Sequence, residues 1–162
     1  MEKLHLIKRE IKNVTEWTRW VVGDVDNKLW NEIPATIGTN IHWIMGHIVW
    51  DKYFHGIVSI FEPEKSFFEK TNILTYQRFY EKGTLPENVL SHKADVNQLS
   101  KTLGLVDEEI HKGLSELSDS CLEEATLVHN PIGNTKYDAL MWCIKHQMWH
   151  IGQIAMIRRI LS

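Results

Sequence analysis

The chain has 162 residues, of which 43% are hydrophobic and 24% are charged, with two cysteines and a formal net charge of −3. These totals are typical of a globular protein with one core, so we expect a single domain spanning residues 1–162. There is no basic excess for nucleic acid, no disulfide framework and no apolar run long enough to span a membrane. We therefore expect a cytoplasmic protein that binds neither nucleic acid nor a membrane.

The first two helices are predicted from apolar residues at alternating steps of three and four. The first begins near Leu4, weakens at Gly23 and extends to about Leu29, before the stop at Pro34. The second runs from about residue 40 to residue 60, and Thr39 is its expected N-cap. Both patterns indicate the walls of a helical bundle.

Two further long helices complete the pattern. The third covers about residues 94–117, and the fourth runs from a cap at Asn134 or Thr135 to about Leu161. The segment from Glu64 to about residue 90 is aromatic and carries turn signals, so we expect a folded connection that could act as a lid. Because no alternating pattern supports a strand, the predicted fold is all-α, a four-helix bundle with a folded connection between helices two and three.

Three histidines are predicted to face the interior of this bundle. His146 and His150 are four residues apart on one helix, about 40° around its axis and about 6 Å along it, so both rings can reach one ion. His47 lies among large apolar residues on the inward face of the second helix. On the same helix, His42 is expected to face solvent and His55 to lie near the edge of the apolar stripe. The spacing therefore selects three of the nine histidines.

Burying three imidazoles on one core costs free energy unless each has a partner. A shared metal ion is one explanation, and hydrogen bonds from each ring to a backbone carbonyl or a neighbouring side chain are the other. A His-Glu-x-x-His protease site is excluded because Gln147 stands where the glutamate base would be. A di-iron site is excluded because no glutamate precedes these histidines by three residues. A metal site here would be mononuclear, with nitrogen ligands and open positions.

These residues carry a family resemblance. The pattern resembles the DinB/YfiT-like superfamily in Asn40, Trp43, Gly46 and His47 of the second helix and in His146, His150, Gly152 and Gln153 of the last. Residues 80–86 and the helix start at Asn134-Thr135 also resemble segments of that superfamily, so the match spans nearly the whole chain.

The resemblance implies both a structure and a chemistry. It implies a four-helix bundle whose first and last helices bracket a pocket, assembled as a homodimer. It also implies that His47, His146 and His150 bind one divalent metal ion, which is zinc, nickel or iron. Relatives include thiol S-transferases that use bacillithiol or mycothiol, and a thiol-dependent isomerase. Trp149 and Ile151 depart from the polar or basic residues common in relatives, which implies a more apolar pocket here.

Several neighbouring side chains have candidate roles on this interpretation. Asp51, one turn beyond His47, could orient an imidazole or act on a bound water or thiol, or it could be a surface charge paired with Lys52. Gln153 could hold the outer nitrogen of a ligand, contact substrate or make an ordinary polar contact. Cys143 could be a soft ligand, although a small buried cysteine is more commonly core filler. Four tryptophans could wall a pocket or belong to the core or a dimer surface: Trp43, Trp50, Trp142 and Trp149.

The leading hypothesis is therefore a metal-dependent enzyme acting on a small molecule, most specifically a thiol S-transferase that uses a low-molecular-weight thiol. The alternative is a non-catalytic metal-binding bundle that serves ligand sensing or dimerisation. A third hypothesis, an interaction module in a stress response, has no specific feature in its favour.

Overall fold

The apolar stripes of the sequence become the long helices of a bundle in the computed structural model, which describes residues 3–89 and 96–162. The long helices are α1 (Lys3–Gly23), α2 (Ile41–Tyr53), α5 (Val96–Ser115) and α6 (Lys136–Leu161). Two short helices, α3 (Lys65–Thr71) and α4 (Leu74–Tyr80), form the connection between α2 and α5. The described ranges contain no strand, only one isolated bridge between Ala125 and Thr135. The prediction of an all-α bundle with a folded connection is confirmed.

The core forms where the inward stripes of the long helices meet. The stripe of α5 is fully buried and consists of Leu99, Leu103, Val106, Ile110 and Leu114. Fully burying such a side chain contributes about 1.5–3 kcal/mol relative to leaving it exposed. The helices α1 and α6 run in the same direction, because Thr18 contacts Gln147 and Asp24 contacts Arg158. None of the described helices is long and apolar enough to cross a membrane.

The ends of α1 and α2 differ from the predicted ones because side chains cap other positions. The helix α1 ends at Gly23 and does not continue to Leu29. The carboxylate of Asp26 accepts a hydrogen bond from the backbone N–H of Lys28 at 2.9 Å and starts a separate 3₁₀ turn, Asn27–Asn31. The cap of α2 is Asn40 and not Thr39, since Asn40 Oδ1 accepts from the backbone N–H of the third helical residue at 2.8 Å.

The start of α6 follows the prediction. Thr135 is its N-cap, and the side chains of Thr135 and Asp138 each accept a hydrogen bond from the other's backbone N–H. This reciprocal capping box satisfies two donors at the helix start. The helix that carries His146 and His150 therefore begins at a fixed position.

The connection between α2 and α5 packs into the bundle through α4. Tyr76 and Tyr80 are buried, and the ring of Tyr80 lies so close to α2 that a Cβ atom at Gly46 would come within 2.2 Å of it. Glycine at this position is what allows the close approach. As a result, α4 covers the face of α2 that was expected to meet solvent, and His42 is only 1% exposed. The prediction that His42 faces solvent is wrong.

The end of α2 changes to a π-helical turn, Phe54–Val58. The backbone N–H of Ser59 donates to the carbonyl of Phe54 at 3.0 Å, and the Ser59 hydroxyl donates to the same carbonyl at 3.0 Å. His55 lies within this turn and is buried, whereas the sequence pattern put it at the edge of the stripe. Single π turns of this kind recur at functional sites.

Candidate metal centre

The three histidines that the sequence selected come together between α2 and α6. One ring nitrogen from each of His47, His146 and His150 lies within 4.8 Å of the others, and the three residues form what is called here the histidine cluster. Each is buried yet retains 7–8% of its surface, so the cluster lies just beneath the protein surface. Within the described residues, it is the set of histidine, cysteine and acidic side chains whose geometry can hold a metal ion. The helix α1 contributes no member and packs along α6 instead.

All three rings use Nδ1 to hold an oxygen atom of the protein. The pairs are His47 with the carbonyl of Tyr80 at 2.7 Å, His146 with Asp51 Oδ2 at 2.8 Å and His150 with Gln153 Oε1 at 2.6 Å. A carbonyl, a carboxylate and an amide oxygen only accept hydrogen bonds, so Nδ1 carries the proton in every ring. The neutral rings therefore have an unprotonated Nε2. Metal-ligating histidines are oriented in this manner.

The unprotonated nitrogens of two rings are held in close contact. His146 Nε2 and His150 Nε2 are 3.0 Å apart. Two lone pairs at this distance repel unless a proton or a cation lies between them. Two nitrogens bound tetrahedrally to one zinc at 2.0–2.1 Å are about 3.3 Å apart, so the observed spacing fits a shared divalent cation.

Burial favours the neutral form of two rings of the cluster, those of His47 and His150. Desolvation, reinforced by the neighbouring His146 and His47, lowers the pKa of His150 to about 4. Desolvation likewise lowers the pKa of His47. Neutral imidazole is the form that binds metal, and near pH 7 these two rings are in that form without a metal's help.

Asp51 faces the histidine cluster and not the solvent. Although burial opposes ionisation of its carboxyl, hydrogen bonds from His146 and His55 hold the pKa of Asp51 well below its ordinary value. Its second oxygen, Oδ1, lies 3.5 Å from His55 Nε2. The alternative of a surface pair with Lys52 is excluded, because the ammonium of Lys52 is buried elsewhere against Asp107. The carboxylate of Asp51 thus orients the imidazole of His146.

The two glutamines of α6 point in different directions. Gln153 Oε1 accepts from His150 Nδ1, the contact expected of it if His150 is a metal ligand. Gln147 is buried and its Nε2 donates to Thr18 Oγ1 of α1 at 2.8 Å. Gln147 therefore links two helices of the bundle and does not replace the missing glutamate base.

Cys143 is core filler. Its side chain is 1% exposed, and burial raises the pKa of its thiol to about 12. A thiol with this pKa stays protonated at neutral pH, whereas the thiolate is the metal ligand. Cys143 is also outside the histidine cluster.

Three of the four tryptophans that the sequence offered as pocket walls stack on the histidine cluster. The ring of Trp43 lies parallel to that of His47 with centroids 4.8 Å apart, and Trp142 stacks on His146 at 5.2 Å. Trp149 lies parallel to His150 at 6.1 Å and is 62% exposed. The fourth, Trp50, packs against Tyr53 instead. Each histidine of the cluster therefore has one indole ring stacked on it.

The connection between α2 and α5 also supports the cluster. Besides the Tyr80 carbonyl that holds His47, it supplies Thr84 Oγ1, which accepts from Trp43 Nε1 at 3.0 Å. The segment expected to be a candidate lid thus packs beside the cluster and orients His47 and the indole of Trp43 that stacks on it. The sequence left a backbone carbonyl open as a partner for each ring, but no signal identified Tyr80 as the residue that supplies it.

Two buried histidines were missed by the sequence patterns. In the described ranges, His42 and His55 are buried in addition to the three histidines of the cluster. Asp51 and His55 are four residues apart, the spacing that also relates His146 and His150, and that signal could have identified the contact. His129 is exposed, His111 is half-buried, and His92 lies outside the described residues.

Fold and cluster together define a class of protein: an α-helical bundle with three histidines on two helices that can hold one metal ion. The chain belongs to the DinB superfamily, whose family model matches residues 10–154. It is similar in fold to the crystal structure of a conserved protein from Enterococcus faecalis, with a TM-score of 0.74 and 17% identity, covering 98% of this chain and 96% of that one. No curated protein matches the chain.

Proposed function

We propose that this protein is a mononuclear metal-dependent enzyme that acts on a small molecule. Its metal ligands are the Nε2 atoms of His47, His146 and His150, and its metal is zinc, nickel or iron. One observation carries the proposal: three rings each donate from Nδ1 to a protein oxygen, and one nitrogen of each ring lies within 4.8 Å of the others, with His146 Nε2 and His150 Nε2 3.0 Å apart. Members of the DinB superfamily are often metal-binding, which supports the same assignment.

Three ligands are the number typical of catalytic zinc sites, whereas structural sites are closed by four. A divalent cation held by three neutral imidazoles supplies a Lewis acid that favours the deprotonated form of a coordinated thiol or water. The residual exposure of the three histidines supports access of a small molecule from the surface.

The roles of Asp51 and Gln153 follow from their contacts. Each holds the Nδ1 proton of one proposed ligand, Asp51 for His146 and Gln153 for His150. Both carboxylate oxygens of Asp51 face histidine nitrogens, which favours a positioning role over that of a base for the substrate. We propose the same positioning role for Gln153.

In its most specific form, the proposed activity is thiol S-transfer. A low-molecular-weight thiol would attack an electrophilic carbon, so that a sulfur–carbon bond forms, the bond to the leaving group breaks and the thiol proton goes to solvent. The indole rings of Trp43, Trp142 and Trp149 favour an electrophile with an apolar part. The resemblance to thiol-dependent relatives is the other support for this form.

We further propose that the protein is a homodimer. Large apolar side chains are exposed on α1 and α6, namely Trp17, Trp20, Trp149, Met156 and Ile160. Exposed aromatic residues and methionine are typical of protein interfaces. Sedimentation of wild-type protein and of Trp20→Arg and Met156→Arg would test this, and a wild-type monomer at all concentrations would contradict it.

Elemental analysis of protein purified without a histidine tag tests the metal site before any substrate is chosen. We expect about one divalent ion per chain in the wild type, and its loss in His47→Ala and in His150→Ala. His129→Ala is the matched control, because His129 is exposed and outside the histidine cluster. Metal-free wild-type protein that also fails to bind added zinc, nickel or iron would refute the site.

A thiol panel separates the enzyme from the non-catalytic alternative. Metal-loaded protein would be incubated with low-molecular-weight thiols and with epoxide or haloalkyl electrophiles, and conjugates would be measured by mass spectrometry. Turnover that disappears in His150→Ala supports the transferase. If metal changes the melting temperature or the oligomeric state without turnover, a sensing or structural role is favoured.

A further inference from the structure

The loop before α6 contacts His55 of the π-helical turn through a buried asparagine. Asn130 is 5% exposed, and its Nδ2 lies 2.8 Å from His55 Nδ1 and 3.0 Å from Ser59 Oγ. Its Oδ1 accepts from the backbone N–H of Ile132 at 3.0 Å. Because Oδ1 is occupied by a backbone donor, the amide orientation is fixed and Nδ2 must be the atom that faces His55.

The orientation of this amide determines the proton position on His55. An amide nitrogen only donates, so His55 Nδ1 must accept and therefore carries no proton in the neutral ring. The proton is then on Nε2, the atom 3.5 Å from Asp51 Oδ1. Ser59 completes the arrangement, since its hydroxyl donates to the Phe54 carbonyl and accepts the second amide proton of Asn130.

We infer that Asn130 and His55 are positioning residues for the histidine cluster. Asn130 fixes the tautomer of His55, the Nε2 proton of His55 faces Asp51, and Asp51 accepts from His146. The expected effect on zinc affinity rests on the proposed metal-binding function. The hydrogen bonds that link Asn130, His55 and Asp51 can be tested without metal. These hydrogen bonds connect the loop before α6, through the π turn after α2, to the histidine pair of α6.

Asn130→Asp is the informative variant. It keeps the size of the side chain but replaces the donor that faces His55 by an acceptor. The Nδ1 atom of His55 must then carry a proton, so the ring either becomes an imidazolium or turns an unprotonated Nε2 towards Asp51. An imidazolium at His55 would compete with His146 for the carboxylate of Asp51, and the Nδ1–H tautomer would remove the donor that faces Asp51, so each outcome changes how Asp51 holds His146. Loss of such outer contacts typically weakens metal binding 10–100-fold.

Two measurements test the inference. Long-range ¹H–¹⁵N spectra of the imidazole rings in metal-free protein should show His55 protonated on Nε2 in the wild type and on Nδ1 in Asn130→Asp. Zinc affinity, measured by competition with a chelator, should fall about 10–100-fold in Asn130→Asp. Asn13→Asp, the same chemical change on α1, should leave both unchanged. Circular dichroism and urea midpoints establish that the variants are folded.

The outcomes separate this inference from the proposed function. A wild-type His55 protonated on Nδ1, or unchanged zinc affinity in folded Asn130→Asp, overturns the positioning role. If the wild type binds no zinc, nickel or iron, the proposed function fails, and the tautomer measured in metal-free protein still decides whether Asn130 controls His55. Asn130→Ala serves as a second variant that removes the donor without adding a charge.

Discussion

His146 Nε2 and His150 Nε2 lie 3.0 Å apart, although the Nδ1 atom of each ring already donates to a protein oxygen. Two acceptor nitrogens so close together destabilise the metal-free fold unless a proton or a metal cation lies between them. The strain is local to one turn of α6, since the two residues are four apart on that helix. Metal occupancy should therefore be visible in stability as well as in chemistry.

Added metal should stabilise the folded protein. Zinc or nickel at about 100 times its dissociation constant should raise the free energy of unfolding by about 2.7 kcal/mol, because the ion binds the folded state alone. Thermal melting with and without metal measures the rise, and a chelator should reverse it. His129→Ala should keep the rise and His150→Ala should lose it. An unchanged melting temperature in the wild type would count against a shared ligand set.

Lowering the pH from 6.5 to 4 should destabilise the metal-free protein. The unfolded chain takes up a proton on His150 near pH 6.5 and the folded chain only near pH 4, so the unfolded state binds more protons in that window. The free energy of unfolding should fall as the pH is lowered through it, by on the order of 3 kcal/mol at most. The lowered pKa of His47 acts in the same direction.

Urea midpoints at several pH values, in the presence of a chelator, check this expectation. The range should stop at pH 4, because Asp51 also has a lowered pKa and its contribution is lost below its ordinary value of 3.8. His150→Gln should flatten the curve between pH 6.5 and pH 4. A wild-type midpoint that is constant over this range would show that burial of His150 does not oppose its protonation.

The sequence predicted the bundle and the histidine cluster because both depend on helical periodicity. His47, His146 and His150 lie where the three-and-four spacing put them. His42 was misplaced because the same spacing assumes that one face of a helix meets solvent, and the packing of α4 on α2 removes that face. Contacts set by a segment distant in sequence are not encoded in the period of the helix itself.

The outer contacts of the cluster were only partly predictable. Gln153 is three residues from His150 on the same helix, so its proximity followed from spacing. Asp51 is on α2 and holds His146 of α6, so this contact follows from the packing of the two helices. The Tyr80 carbonyl and Asn130 come from connecting segments, whose paths follow from tertiary packing. A backbone carbonyl moreover has no sequence identity, so no residue pattern can indicate it.

The buried pair of Lys52 and Asp107 should be essential for stability as a pair. Lys52 is 1% exposed, and its ammonium contacts the carboxylate of Asp107 on α5 and the hydroxyl of Thr15 on α1. Lys52→Met leaves a buried carboxylate without its partner and should cost about 3–5 kcal/mol. The double variant Lys52→Met with Asp107→Leu should be less destabilised than Lys52→Met, because no buried charge remains.

Urea denaturation of the two variants measures the difference. Lys112→Met is the matched control, since Lys112 forms an ion pair with Glu64 at the surface, and its midpoint should not change measurably. If the double variant were the less stable of the two, the pair would contribute more than the cost of burying its charges.

Gly46 and Gly152 should respond in opposite ways to the same substitution, because only one of them has a neighbour at its Cβ position. Gly46→Ala would place a methyl group within 2.2 Å of the Tyr80 ring, whereas Gly152 has nothing within 4 Å of that position. Overpacking of this kind costs about 1–3 kcal/mol, and alanine in an open helical position gains up to about 1 kcal/mol. Gly46→Ala should also weaken zinc binding, since moving Tyr80 displaces the carbonyl that holds His47. Urea midpoints and zinc affinities of both variants test this prediction. Equal stability of the two variants would mean that α4 can move away from α2 without cost. Unchanged zinc affinity in Gly46→Ala would mean that the Tyr80 carbonyl does not position His47.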